Sequence, residues 1–144
     1  MNSATMFSSV SSEWETPQDL FDRLNTEFHF TLDACATSEN AKCTHFFDKA
    51  ADGLQQFWGD DTVWCNPPYG RDVWKWVERA FDTHWVNDNT IAMLLPARTD
   101  TRWFHRYIYG KAEIRFLRGR LKFSGSKNSA PFPSMIVIFR GDSK

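Results

Sequence analysis

Apolar positions recur along this chain in two rhythms, and the switching between them predicts an alternation of helices and strands. Leu20, Phe21, Leu24 and Phe28 form a stripe at helical spacing, introduced by Thr16-Pro17, a capping residue followed by proline at the first helical position. Residues 28–32 then alternate apolar and polar, predicting a strand that delivers Asp33-Ala34-Cys35-Ala36 into a turn. Val63-Trp64-Cys65 is a short apolar run. After it, Val73, Trp76, Val77, Ala80 and Phe81 keep the i, i+3, i+4 spacing of a helix with one buried face, and the tryptophans of that segment are read as core. Residues 90–95, closed by Pro96, predict a buried parallel strand. Trp103, Phe104, Tyr107 and Ile108 predict a further helix, with Arg102 and Arg106 on a shared face. Ile114, Phe116, Leu121 and Phe123 mark a strand pair or one strand bent at Gly119, and residues 135–139 a last buried strand. The pattern is weakest over residues 40–54, where a short strand at 44–47 and a turn at Asp52-Gly53 are expected.

Strands alternating with helices predict an α/β fold with a mostly parallel sheet, helices on both faces and a C-terminal antiparallel hairpin. At 144 residues the chain is expected to form a single compact domain over 13–144, with no separate target-recognition domain and a polar, Ser-rich lead-in over 1–12. That lead-in lacks the basic start and long apolar stretch of a secretory signal, so a cytoplasmic protein is expected. No apolar run approaches membrane-spanning length.

Charge changes the picture more than composition does. The formal net charge is only −1, but residues 1–70 hold 3 Lys/Arg against 11 Asp/Glu, and residues 71–144 hold 14 against 7. Between 98 and 127 nine basic residues face only Asp100 and Glu113, which suits a polyanion-binding surface beside an acidic half, or a solvated charged face. Cys35, Cys43 and Cys65 are odd in number and lack the paired short spacing of a zinc site, even with His45 nearby, so reduced thiols and no metal are expected.

The candidate chemistry lies in Asn66-Pro67-Pro68-Tyr69, which follows the apolar run 63–65 and precedes a helical segment. It would therefore stand at the carboxyl end of a strand, where open α/β sheets seat their ligands. Asn-Pro is also an ordinary turn opener. The tetrapeptide resembles the active-site motif of amino-group methyltransferases. In that role the Asn66 side-chain oxygen and the Pro67 carbonyl each accept one N–H of an exocyclic amine. The two acceptors aim its lone pair at a methyl carbon, and the proton leaves after transfer. The prolines stiffen the turn, and Tyr69 offers a face to a base extruded from its stack.

Taken together, Trp14-Glu15-Thr16-Pro17, Leu32-Asp33-Ala34-Cys35-Ala36, Asn40-Ala41-Lys42-Cys43, Asp52-Gly53-Leu54 with Trp58, Asn66-Pro67-Pro68-Tyr69-Gly70, residues 95–101 and Gly119-Arg120-Leu121-Lys122-Phe123 resemble the phage-type DNA N6-adenine methyltransferase (Dam) family over most of the chain. The resemblance implies an abbreviated Rossmann-like fold and an enzyme that uses S-adenosylmethionine to methylate adenine in double-stranded DNA. It implies catalytic roles for Asn66, Pro67, Pro68 and Tyr69. Trp14, Thr16 and Pro17 would line the methionine and sulfonium end of the cofactor, Asp33, Ala34 and Cys35 the turn after the first strand, and Asp52 with Leu54 its adenine, Asn66 also bordering the cofactor. A carboxylate at Asp33 suits the methionine ammonium, though both Asp33 and Asp52 also suit turns. The glycine-rich turn of larger methyltransferases is missing after the first strand, and Asp48 is a candidate for the ribose. Arg98, Thr99 and Arg102 are expected at DNA phosphates, and Lys127 and Asn128, with Ser129, at bases or in a solvated loop. Arg120 and Lys122 alternate with apolar residues as the solvent face of a strand would. RNA amines and protein glutamine are alternative substrates for such a tetrapeptide. A phage protein that binds DNA or cofactor without turnover is the alternative outside catalysis.

Overall fold

The computed structural model describes residues 14–142, so the lead-in over 1–12 lies outside the described residues. The elements run α1 (Gln18–Phe28), β1 (Leu32–Asp33), a 3-10 turn (Gly53–Gln55), β2 (Val63–Cys65), α2 (Val73–Asn87), β3 (Ile91–Pro96), a single wide helical turn (Phe104–Ile108), β4 (Glu113–Phe116) and β5 (Ser134–Phe139). They build one open five-stranded sheet in the order β1-β2-β3-β5-β4.

The sheet is mixed, which corrects the expectation of a mostly parallel one. β1 with β2 and β2 with β3 are parallel, whereas β5 is antiparallel to both β3 and β4. The cause is the path after β3. The chain returns through the 104–108 turn, rises again along β4, stays at the upper edge over 117–133, and comes down as β5 between β3 and β4. The antiparallel β4 and β5 are therefore joined by a long irregular connection in place of a tight hairpin. The expected strand at Leu121 and Phe123 is absent, and the segment predicted as a parallel strand at 90–95 has one parallel and one antiparallel neighbour.

Alternation along the strands sorts the core into two layers. Trp64, Ala92, Leu94, Ile136 and Ile138 face Leu20, Phe21 and Leu24 of α1 together with Phe123 and Ala130. Val63, Cys65, Ile91, Met93, Leu95, Val137 and Phe139 face Val73, Trp76, Val77 and Ala80 of α2 and Phe104, Tyr107 and Ile108. β3 and β5 are buried along their whole length because they lie inside the sheet with both faces covered. Trp76 is core as expected, but Trp74 is 41% exposed and Trp85 78%, since they fall off the buried stripe of α2.

Local corrections have local causes. Thr16 does not cap α1. The helix begins after Pro17 with no side-chain cap, and the Thr16 hydroxyl is used elsewhere. At the other end His29 takes a left-handed conformation (φ 57°), and Asn25 receives the His29 N–H on its carbonyl and the Phe30 N–H on its side chain, both at 2.8 Å. That closure stops the helix at Phe28 and shortens the strand predicted over 28–32 to Leu32–Asp33. The strand expected at 44–47 is a single bridge between Phe46 and Asp33.

Candidate active site at the carboxyl edge of the sheet

β1, β2 and β3 all end at one edge, releasing Asp33-Ala34-Cys35, Asn66 to Tyr69, and Arg98 to Arg102 respectively. The antiparallel pairing of Ser134 with Pro96 and of Met135 with Phe116 brings the 117–133 connection to the same edge. The topology thus gathers the tetrapeptide, the first turn and the basic loops at the place where open α/β sheets bind ligands.

At the centre is the Asn66 carboxamide, half-buried, with both ends engaged. Its Nδ2 donates to the Trp14 carbonyl at 2.6 Å and to Thr16 Oγ1 at 3.2 Å, and its Oδ1 accepts the Tyr69 hydroxyl at 2.8 Å. The Tyr69 oxygen also stands 3.0 Å from the Leu94 carbonyl, tying the tetrapeptide to β3. Burial pushes the Tyr69 phenol well above its ordinary range, so it stays an O–H donor at any working pH. Pro67 is buried and Pro68 exposed, and the Pro67 carbonyl accepts no hydrogen bond among the described residues. One lone pair of Asn66 Oδ1 and the Pro67 carbonyl are thus two acceptors on one stiff turn.

Aromatic rings wall this centre. Tyr69 meets Phe123 and Phe132 edge to face, with centroids 6.2 and 5.6 Å apart, and Trp14 meets the same two rings at 5.2 and 5.4 Å. The Ser124 N–H donates to the Glu15 carbonyl at 3.0 Å, fastening the long connection to the strap at 14–16. Phe132, the Leu94 carbonyl and the Trp14 carbonyl escaped the sequence reading. Backbone groups carry no sequence signal, and Phe132 stands alone in a polar loop with no periodicity around it.

The first turn is equally constrained. Asp33 is 3% exposed, and its carboxylate accepts the N–H groups of Cys35 at 3.2 Å and Lys42 at 3.0 Å, making it the turn former of the 34–42 loop. Burial pushes its carboxyl up to about 6 against those two bonds, which favour the charged form. Gly53 lies so close to the end of β1 that a Cβ there would come 2.2 Å from the Ala34 carbonyl, and its own carbonyl receives the indole N–H of buried Trp58 at 2.9 Å. That close approach brings Asp52 and Leu54 beside Ala34 and Cys35. Asp52 is exposed, in a left-handed conformation (φ 59°), with one carboxylate oxygen on the Leu54 N–H. Asp48 is exposed and caps the Ala51 N–H at 2.9 Å. Pro17 is half-buried at the start of α1. Burial raises the Cys35 thiol to about 12 and the Cys43 thiol to about 11, leaving both as weak nucleophiles. Among the described residues no cluster of three or more His, Cys, Asp or Glu could hold a metal ion.

The basic half divides in two. Arg115 is held by Glu27 at 2.7 and 2.8 Å and by Glu113 at 2.7 Å. Arg140 joins the same pair of acids, both guanidiniums lie over the Phe28 ring, and the Arg115 contacts hold the Glu27 carboxyl down at about 2. This network braces β4 against the end of α1, so Arg115 does not belong to a polyanion surface. Arg98, Thr99 and Arg102 are exposed just past β3, and the two guanidiniums make no hydrogen bond or ion pair among the described residues. Arg120 donates to the Pro131 carbonyl at 2.9 Å, and Lys122 is exposed in the irregular connection, not on a strand. Lys127 and Asn128, with Ser129, line an open cleft of about 420 Å³ whose far wall is Trp14.

The structure is thus an open mixed α/β sheet whose strand ends gather a doubly anchored carboxamide, a proline carbonyl that accepts no hydrogen bond among the described residues, and a group of aromatic rings. Comparison with known proteins sharpens that class. The model of the family described as "DNA N-6-adenine-methyltransferase (Dam)" matches residues 3–143, and the chain belongs to this family. It is 35% identical over 115 residues to a protein of Escherichia phage T1 named "DNA N-6-adenine-methyltransferase", covering 78% of this chain and 47% of the relative. The chain therefore spans about half the length of that relative. It is also 31% identical over 67 residues to the Escherichia coli (strain K12) protein named "Putative methyltransferase YfdM", covering 42% of this chain and 74% of that one.

Proposed function

We propose that this chain is a DNA adenine-N6 methyltransferase that uses S-adenosylmethionine, acting on a flipped adenine of double-stranded DNA in a cytoplasm, the host's if a phage encodes it. The observation that carries the reading is the pair of acceptors on the 66–69 turn. The Asn66 amide presents Oδ1 because its nitrogen is committed to Trp14 and Thr16, and the Pro67 carbonyl beside it takes no other bond among the described residues. An exocyclic amine has two N–H groups and a delocalised lone pair, and two fixed acceptors localise that pair and direct it. Tyr69, with its ring braced by Phe123 and Phe132, is the surface on which the extruded base rests.

The residues around the first turn fit the proposed methyl donor. Asp33 is a buried carboxylate whose raised pKa a cation would relieve, matching the methionine ammonium. Asp52 and Leu54, drawn to the end of β1 by Gly53, suit an adenine ring and its amine. Ala34, Cys35, Trp14 and Pro17 complete the surroundings. When bound, S-adenosylmethionine supplies an electrophilic methyl group. Arg98, Thr99 and Arg102 would take backbone phosphates, and Lys127 and Asn128 would meet the DNA across the cleft from Trp14.

Calorimetry and turnover measured together test the reading. Asn66→Ala should keep cofactor affinity within a few-fold and lose turnover by about 100-fold or more, as expected when an acceptor used in the transition state is removed. Wild-type turnover in that variant would remove Asn66 from the reaction.

A further inference from the structure

A carboxamide is nearly symmetric in shape, yet half a turn about its last bond exchanges an acceptor for a donor. Only the acceptor end can hold an amine N–H, so a site built on Asn66 must fix which way the amide points. The Tyr69 hydroxyl does not decide this, because it can donate to Oδ1 or, turning its proton to the Leu94 carbonyl 3.0 Å away, accept from Nδ2. The decision falls to the strap at 14–16. The Trp14 carbonyl can only accept, and it lies 2.6 Å from Nδ2; reversing the amide would set two oxygens at that distance. Thr16 Oγ1 takes the second Nδ2 hydrogen at 3.2 Å.

We propose that Thr16 is a positioning residue for the reacting amine: the Trp14 carbonyl sets which end of the Asn66 amide points away, and the buried Thr16 hydroxyl, holding the second Nδ2 hydrogen, fixes the plane in which Oδ1 is presented. This rests on the reading of Asn66 as the amine acceptor, and it gives Thr16 a task distinct from lining the cofactor. Burial supports it: Thr16 is 3% exposed, with its hydroxyl directed at Asn66 and its carbonyl 3.4 Å from the Ser124 hydroxyl. The same strap is fastened to the long connection through Glu15 and Ser124, and the Trp14 ring packs edge to face against both Phe123 and Phe132. The loop proposed to meet DNA therefore holds the segment that orients the Asn66 amide.

Thr16→Val, nearly the same in shape, removes the hydroxyl, and Thr16→Ser keeps it. The proposal expects Thr16→Val to lower kcat about fivefold to tenfold, the scale of one lost hydrogen bond, with cofactor Kd unchanged. Thr16→Ser should recover most of that loss, and in an Asn66→Ala background Thr16→Val should change the residual rate no further. A weakened cofactor Kd with unchanged kcat would overturn the assignment and make Thr16 a cofactor contact. The second readout needs no turnover. In nuclear magnetic resonance spectra of isotope-labelled protein, one of the two Asn66 side-chain amide protons should lose its hydrogen-bonded shift and exchange faster in Thr16→Val, and both should be unmoved in Thr16→Ser. Unchanged amide signals in Thr16→Val would refute the proposal even if the wild type transferred no methyl group, an outcome that would sink the functional reading alone.

Discussion

Asn66→Asp separates an acceptor from a correctly anchored acceptor, because it preserves size and adds acceptor strength while deleting both Nδ2 donors. The bond to the Trp14 carbonyl at 2.6 Å disappears and a carboxylate oxygen faces a carbonyl that can only accept, whereas the Thr16 hydroxyl at 3.2 Å can turn its proton and donate to the new oxygen. One lost bond at about 1 kcal/mol, plus an oxygen left facing another acceptor at about 1–3 kcal/mol, puts the cost at roughly 2–4 kcal/mol with the carboxyl ionised. The neutral acid can donate to the Trp14 carbonyl, so the folded protein favours protonation and the pKa of the introduced carboxyl is raised. A raised folded-state pKa means that the contribution to stability is fully present below the ordinary aspartate range and is lost as pH rises through the folded value. Urea unfolding of Asn66→Asp and wild type at pH 5 and pH 8 reads this directly. The variant should lose ground mainly at the higher pH, and methyl transfer should fall with it. Equal stability and turnover at pH 8 would refute the anchoring of Asn66 through its nitrogen.

Gly53→Ala should cost about 1–3 kcal/mol in denaturant unfolding, because the new methyl meets the Ala34 carbonyl at 2.2 Å and must displace the end of β1; an unchanged midpoint would remove the close approach from the account. Cofactor affinity should rise as pH passes upward through about 6, since a cation binds the ionised Asp33 carboxylate and the unliganded protein holds its proton until then; a flat pH profile would place the ammonium elsewhere. Arg98→Ala and Arg102→Ala should each reduce the salt slope of DNA binding by about 0.9, one phosphate apiece, whereas Arg115→Ala, already paired with Glu27 and Glu113, should leave it unchanged; the reverse pattern would move the DNA to the β4 side.

The elements that speak locally were legible in the sequence. The α1 and α2 stripes, the 63–65 and 135–139 strands and the position of Asn66 at a strand end all follow from spacing and from proline placement. What was not legible depends on partners far away in sequence. Residues 90–95 give the same apolar run whether their neighbours are parallel or antiparallel, so the mixed sheet was invisible. A Thr-Pro pair signals a cap, yet Thr16 serves Asn66, fifty positions on. The 98–127 charge run suggested one basic surface, but Arg115 belongs to an ion network with α1, because charge along a chain does not state which side of a strand it decorates. Asp33 was legible as an acid in a turn, and the structure adds that the turn is built on its carboxylate.

Whether the 66–69 turn serves an adenine amine is read from the methylated nucleoside itself. Unmethylated double-stranded DNA is incubated with the protein and S-adenosylmethionine, digested to nucleosides and examined by mass spectrometry, with Asn66→Ala in parallel. The wild type should yield N6-methyladenine, and Asn66→Ala none above background. Bound cofactor without N6-methyladenine in DNA would overturn the reading, and parallel incubations with RNA or protein in place of DNA would show which amine the Asn66 and Pro67 acceptors serve.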